Sequence, residues 1–300
     1  MGELEVLRVD VFTDEVLSGN PAWVVFDADR LDEVGMQRVA AELGPPVTAF
    51  VLRSKRADVR LRFFSPVGEE PISGHAVIGA LSALADRGSF GPTPSNRRRL
   101  ETAIGVLAFA TEPGEPGPAR IWMTQKKPLF ARVDELKEVA SALGVGVDSL
   151  FHEAFPLSRA STGLPCLLVP IRSLEAMEHM SPRQPELSEL AQELDVAAVA
   201  VYSWSVMDPA STVHVRCFLP HGAVLEDVAS GLPAGALGAY LVENDFIPKD
   251  RAGDMVIEQG HWLGRPSRIL VRIDRQGSTV RRVEVGGSVR TSLRGKVSAP

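Results

Sequence analysis

The chain has 300 residues, with 32 basic and 38 acidic side chains and a formal net charge of −6. No stretch approaches the roughly 20 apolar residues of a membrane helix, and the charged N-terminus predicts no secretory signal. The acidic balance argues against a nucleic-acid partner. Two cysteines, Cys166 and Cys217, are too few for a disulfide framework or a thiolate metal site. We therefore expect a cytoplasmic protein, and its length favours two lobes.

The N-terminal half predicts alternating strands and helices. Residues 6–12 alternate as a strand does, 22–26 form a short apolar run typical of a buried strand, and 59–63 alternate again. Residues 76–87 have the apolar spacing of a helix, and Gly88 follows as a stop signal.

The middle and the C-terminal half are read in the same way. Residues 97–99 are three arginines beside a Pro/Ser/Asn-rich stretch, which predicts a solvated turn. Residues 111–119 are rich in Glu, Pro and Gly and predict a loop or a lobe boundary. Helices are predicted over 134–143 and 234–243, and closing strands, joined by a turn, within 269–285.

Three short patterns recur in the same order about half a chain apart. They are Ser18-Gly19-Asn20-Pro21 against Thr162-Gly163-Leu164-Pro165, the helical stripe Met36, Val39, Ala40 and Leu43 against Leu187, Leu190, Ala191 and Leu194, and Arg62-x-Phe64-x-Pro66-x-Gly68 against Arg216-x-Phe218-x-Pro220-x-Gly222. Their offsets are 144, 151 and 154, and the Ser-Gly pairs that follow, at Ser73 and Ser230, are offset by 157. The patterns therefore predict a duplicated α/β unit.

Each copy then has a Ser-Gly turn that opens a helix. Ser73 and Ser230 are typical N-cap residues, and the free N–H groups of a helix start favour an anion such as a carboxylate. We expect the site in the cleft between the lobes. His75, kept neutral by the helix dipole, and Asp227 are the candidate proton carriers. In the alternative interpretation, His75 only caps its helix and Asp227 is a solvated loop acid.

Motifs along the whole chain carry a family resemblance. They are Val11-Phe12 with Gly19-Asn20-Pro21, Leu61-Arg62-Phe63-Phe64-Ser65-Pro66 with Glu69, Gly74-His75, Glu226-Asp227 before Ser230-Gly231, Ile257-Glu258-Gln259-Gly260, Gly264-Arg265-Pro266 and Gly286-Gly287-Ser288. By these motifs the chain resembles the PhzF family of phenazine-biosynthesis isomerases. The resemblance implies an α/β (α+β) protein with the diaminopimelate-epimerase-like fold, in which two pseudo-symmetric lobes each form a curved mixed sheet around a central helix. We place the lobes at 1–118, joined by 287–300, and at 119–286.

The resemblance also implies a site. It implies cofactor-free and metal-free acid–base chemistry on a small-molecule carboxylate, and a homodimer. The family's catalytic glutamate would stand at the position of Val47, which can carry no proton. The racemases of this fold use a cysteine at each helix start, and here those positions are serines, so Cys166 and Cys217 are expected to be core residues away from both starts. The implied catalytic residues are His75 and Asp227. The implied substrate-binding residues are Asn20, Val47, Ser73, Gly74, Ser230, Gly231 and Leu232, and no metal ligands are implied.

Three functions stay open. The first is an isomerase that moves a proton and a double bond on an unsaturated carboxylate of antibiotic-type biosynthesis, such as a precursor of a substituted proline. The second is a small-molecule binding or accessory protein that has kept the fold and lost catalysis. The third is a hydrolase or lyase on a related substrate. Glu42, Glu69 and Glu70 are the nearest acids that could replace the family's glutamate, and the sequence singles out none of them.

Overall fold

The computed structural model describes residues 2–91, 96–114, 117–222, 225–277 and 279–298. The chain divides into two compact units. The first unit comprises Met1–Thr124 and Gly286–Pro300, and the second comprises Gln125–Val285. The corresponding boundaries expected from the sequence lie at 118/119 and 286/287.

The first unit is a mixed sheet packed on one long helix, with a second helix on its other face. Its elements are β1 (Glu3–Val11), β2 (Asn20–Val25), a 3₁₀ turn (Ala28–Arg30), α1 (Glu33–Leu43), β3 (Thr48–Leu52), β4 (Val59–Ser65), β5 (Gly68–Glu70), α2 (Gly74–Asp86), β6 (Arg97–Thr102), β7 (Gly105–Gly114), β8 (Gly117–Thr124) and the returning β18 (Val289–Ser298). β1 pairs antiparallel with both β2 and β18, whereas β2–β3 and β4–β6 are parallel.

The second unit repeats this plan. Its elements are β9 (Leu129–Arg132), α3 (Leu136–Leu143), a 3₁₀ turn (Val147–Ser149), β10 (Ser158–Ser161), β11 (Pro165–Pro170), α4 (Leu174–Glu178), α5 (Gln184–Glu193), β12 (Ala198–Ser203), β13 (Val213–Phe218), β14 (Glu226–Asp227), α6 (Gly231–Glu243), 3₁₀ turns at Lys249–Arg251 and His261–Leu263, β15 (Met255–Gln259), β16 (Ser267–Gln276) and β17 (Thr279–Gly287). The parallel pairs β11–β12 and β13–β15 match β2–β3 and β4–β6 in the first unit.

The helices α2 and α6 are buried almost all round, as central helices must be. Nine consecutive residues of α2, from Ala76 to Leu84, are buried, and in α6 only Leu232 and Glu243 are not. Glycine allows the closest approach to the sheet. A Cβ at Gly79 would lie 2.8 Å from a methyl of Val9, so a larger residue would push the helix off the strand.

The apolar stripes predicted for α1 and α5 pack against the sheets, as is typical of amphipathic helices. In α1, Met36 packs into an apolar cluster with Phe50 and Phe64. In α5, Leu187 packs into the corresponding cluster with Phe218. The two helices therefore cover the face of each sheet that the central helix does not.

Two loop expectations are wrong. Residues 97–99 lie on β6 and pair with β7, and the strand turns Arg98 inward. There its guanidinium stacks 4.9 Å from the ring centre of Phe90, so a charge run read as solvated is partly buried. Within 111–119, the described residues belong to β7 and β8, which pair antiparallel, and residues 115–116 lie outside the described residues. The pairing of β7 with β8 shifts its register between Glu112 and Gly114.

Candidate active site

The start of α6 joins three of the residues that the sequence singles out. Asp227 ends β14 and Ser230 immediately precedes α6. The hydroxyl of Ser230 donates to the Asp227 carboxylate over 2.5 Å. Ser230 therefore occupies the N-cap position, but its hydroxyl proton goes to Asp227 and its side chain makes no cap on the helix. We call Asp227, Ser230, Gly231 and Leu232 the α6 half-site.

A buried glutamine fixes the backbone of the α6 half-site. Gln259, at the end of β15, is 1% exposed. Its Oε1 accepts from the Ser230 N–H over 3.2 Å, and its Nε2 donates to the Asp227 carbonyl over 2.8 Å. Gly260 follows with φ at +82°, and a Cβ there would lie 2.7 Å from the carbonyl oxygen of Val228. The sequence assigned no role to Gln259, although it lies within a motif of the family resemblance.

A second pair of side chains holds the first turn of α6. Gln125 donates from Nε2 to the carbonyl of Gly231 over 2.9 Å. Thr162 donates to Gln125 Oε1 over 2.6 Å and lies 3.3 Å from the carbonyl of Leu232. Gly235 leaves room for this carboxamide, since a Cβ there would lie 2.0 Å from Gln125 Oε1. No local pattern predicts Gln125, because its partner is 106 residues away.

The start of α2 carries the other candidate proton carrier. His75 lies in the first turn of α2, partly buried, with its Nδ1 3.5 Å from the hydroxyl of Ser73. Ser73 is buried at the N-cap position and, like Ser230, makes no side-chain cap. The Val77 N–H bonds to the Ser73 carbonyl, so the N–H groups of Gly74, His75 and Ala76 precede the first intrahelical bond. We call Ser73, Gly74 and His75 the α2 half-site.

The two remaining predicted substrate-binding residues lie at the starts of two neighbouring strands of the first unit. Asn20 is buried at the start of β2, opposite Val11. Val47 is buried immediately before β3, and its carbonyl accepts from the Trp23 N–H over 2.9 Å. This hydrogen bond fixes the backbone of Val47 directly before the first residue of β3.

Matching ion pairs fix the hairpin that leads to each half-site. Arg62 binds Glu69 through both Nε and Nη2, each over 2.7 Å. Arg216 binds Glu226 in the same bidentate way, over 2.9 and 2.7 Å. The hydrogen bonds from Arg62 hold the pKa of Glu69 below its usual range. The arginine of each pair belongs to the third repeated pattern, so the duplication extends to side-chain chemistry.

The expectation about the cysteines is half wrong. Both are fully buried, and burial raises the pKa of Cys166 to about 12. However, Cys217 lies directly opposite Asp227 in the β13–β14 register, and a hydrogen bond links its thiol to the Ser230 hydroxyl. Strand pairing thus brings Cys217 beneath the α6 half-site, whereas its sequence distance from Ser230 suggested separation. Burial raises the pKa of Cys217 well above its usual value.

Two absences characterise the described part of the chain. Across residues 2–91, 96–114, 117–222, 225–277 and 279–298, no three His, Cys, Asp or Glu side chains are grouped so that they could hold a metal ion. In the same ranges, no helix combines the length and apolar character needed to span a membrane.

The duplicated unit defines the class of protein. A mixed sheet packed on a buried central helix, occurring twice in one chain, is the diaminopimelate-epimerase-like fold. Within the group of proteins that share this fold, the chain is an isomerase. The family model described as phenazine biosynthesis-like protein (PhzC-PhzF) matches residues 9–295. The chain belongs to this PhzF family.

Known relatives agree with this assignment. An uncharacterized isomerase of Bacillus subtilis is 32% identical over 98% of this chain and 99% of its own length. The trans-2,3-dihydro-3-hydroxyanthranilate isomerase of Pseudomonas aeruginosa is 32% identical over 93% of this chain and 94% of its own. The crystal structure of a PhzF-family phenazine biosynthesis protein from Bacillus anthracis superposes with a TM-score of 0.88 at 28% identity. That superposition covers 99% of this chain and 100% of the other.

Proposed function

We propose that this isomerase moves a proton, and with it a double bond, on an unsaturated small-molecule carboxylate, without a cofactor. The observation that supports it most directly is the α6 half-site, where the Asp227 carboxylate is oriented by the Ser230 hydroxyl over 2.5 Å at the start of a helix. The second support is His75, the only other proton carrier that the sequence singled out at a helix start. The named activity of the Pseudomonas relative is an isomerisation of this kind of acid.

The proposed chemistry needs one group to take a proton and another to return one. A base removes a proton from carbon, the C–H bonding pair enters the conjugated π system, and an acid protonates a different carbon of that system. No net oxidation occurs and no leaving group departs. His75 and Asp227 would share these two roles on the same substrate. The N–H groups at the starts of α2 and α6 would bind its carboxylate, since helix starts favour anions.

Val47 and Leu232 would supply apolar contacts in this site. Val47 is buried, and an isopropyl group neither takes nor gives a proton. Asn20, Ser73, Gly74, Ser230 and Gly231 would contact the polar groups of the substrate. We further propose that the substrate belongs to antibiotic-type biosynthesis, for example a precursor of a substituted proline.

Isotope exchange tests the proposal. The probe is trans-2,3-dihydro-3-hydroxyanthranilate, which we call the dihydroanthranilate probe, incubated with the protein in D₂O and followed by NMR. We expect deuterium at a ring carbon of the isomerised product. His75→Gln and Asp227→Asn should each slow this by about 10²-fold or more.

The matched controls are His179→Gln and Asp254→Asn, whose side chains are exposed in the second unit. Both should exchange at the wild-type rate. Wild-type exchange in both site variants would sink the assignment of His75 and Asp227. A probe that raises the melting temperature without any exchange would instead support the binding protein weighed above.

Two parts of the proposal have separate tests. Activity should survive dialysis against a chelator, and activity that is lost and then restored by a metal would contradict a cofactor-free reaction. The proposed homodimer predicts twice the 32.3 kDa chain mass in sedimentation equilibrium.

A further inference from the structure

Glu70 occupies the position in the first unit that Asp227 occupies in the second. Glu70 stands opposite Phe63 in the β4–β5 hairpin, and Asp227 stands opposite Cys217 in the β13–β14 hairpin. Each is the residue after the carboxylate of a bidentate arginine pair. Each lies three residues before the serine that precedes a central helix.

The hairpins also direct the two acids to the same kind of face. Phe64 packs into the apolar cluster of α1. Since successive strand residues point to opposite faces, Phe63 and its partner Glu70 point away from α1. In the second unit, Phe218 packs into the apolar cluster under α5, so Asp227 points away from α5. There Asp227 meets Ser230 at the start of α6.

Glu70 differs from a glutamate that serves only in a structural ion pair. Its side chain is partly buried and lies near the hydroxyl of Ser65, which itself donates to the Gly68 carbonyl over 3.1 Å. Its neighbour Glu69, by contrast, is held by Arg62. Burial raises the pKa of Glu70, because a buried site disfavours the charged carboxylate.

We propose that Glu70 is a third catalytic residue, the proton-carrying carboxyl of the first unit and the counterpart of Asp227. This inference rests on the proposed function and deepens it. As a carboxylate, Glu70 takes the proton when the substrate C–H bond breaks and the electron pair enters the π system. Glu70 then releases that proton to solvent, and His75 or Asp227 protonates a different carbon of the π system. Glu70 would thus supply the carboxyl group for the proton transfer that Val47 cannot perform.

The decisive variant is Glu70→Gln, which keeps the size of the side chain and removes its ionisable carboxyl group. Exchange of the dihydroanthranilate probe should fall by about 10²-fold or more. Glu70→Asp should recover part of the rate because it restores a carboxyl group. The control is Glu193→Gln, an exposed position on α5, and it should exchange at the wild-type rate.

A binding measurement separates failure of this inference from failure of the proposed function. The probe is 2-aminobenzoate, a non-reacting planar carboxylate, titrated by calorimetry. Removing the negative charge in Glu70→Gln should tighten its binding by at least about threefold, whereas Glu193→Gln should not change it. This outcome does not require turnover. A wild type that exchanges no probe refutes the proposed function. A Glu70→Gln variant that exchanges within twofold of an active wild type, or binds 2-aminobenzoate with unchanged affinity, overturns the role of Glu70.

Discussion

The side-chain carboxamide of Gln259 holds the loop before α6, and the variant Gln259→Ala should show how much it contributes to stability and activity. The side chain of Gln259 makes two hydrogen bonds in a fully buried setting, to the N–H of Ser230 and to the carbonyl of Asp227. Truncation leaves both backbone groups without these partners. A buried polar group that loses its partner costs about 1–3 kcal/mol, so two such groups should lower the free energy of unfolding by about 2–6 kcal/mol.

The functional effect should be distinct from the loss of stability. Without Gln259, the Asp227 carboxylate is no longer fixed relative to the start of α6, and misplaced acid–base groups lose rate more than affinity. We expect kcat for the dihydroanthranilate probe to fall at least about tenfold with KM changed much less. Urea unfolding followed by tryptophan fluorescence gives the stability, and NMR exchange gives the rate.

The control for this prediction is Gln192→Ala, an exposed glutamine on α5. It should change the free energy of unfolding by less than about 0.5 kcal/mol. A Gln259→Ala variant as stable as this control, with an unchanged kcat, would refute the reasoning that the carboxamide holds the α6 half-site.

Three further predictions concern the scaffold. Burial opposes ionisation of Glu258, yet hydrogen bonds from His214 and two backbone N–H groups lower its pKa to about 2. Its ionised form therefore stabilises the fold above the unfolded pKa near 4.3, by about 3 kcal/mol, and this is lost as pH falls toward 2. The stability difference between wild type and Glu258→Gln should shrink from pH 6 to pH 3, and equal differences would contradict this. Gly238→Ala should lower the free energy of unfolding in urea by about 1–3 kcal/mol, since a Cβ at this position would lie 2.7 Å from a valine methyl of β16. A variant more stable than the wild type would show that the higher helix propensity of alanine outweighs the clash. Cys166 and Cys217 should not react with a thiol reagent in the native protein and should both react in urea, because both are fully buried; labelling of native protein would indicate local opening.

Much of the first-order organisation follows from local patterns. The apolar stripes of α1 and α5 and the alternation of β1 and β4 reflect which face of each element is buried, and a short window of sequence carries that information. The arginine run at 97–99 shows the limit of this approach. Its composition is that of a solvated turn, but pairing with β7 makes it a strand, and only that pairing decides that Arg98 points inward.

The sequence by itself determined the duplication, the two helix starts and the residue types that stand at each of them, because repeats and N-terminal helix signals are local. The tertiary structure decided which side chains meet. It turned the hydroxyl of Ser230 to Asp227 and brought Cys217 beneath them. It also fixed the loop with Gln259 and set Glu70 in the register of Asp227. These contacts join residues on different strands, and strand register is set by the packing of the whole sheet rather than by any short stretch of sequence.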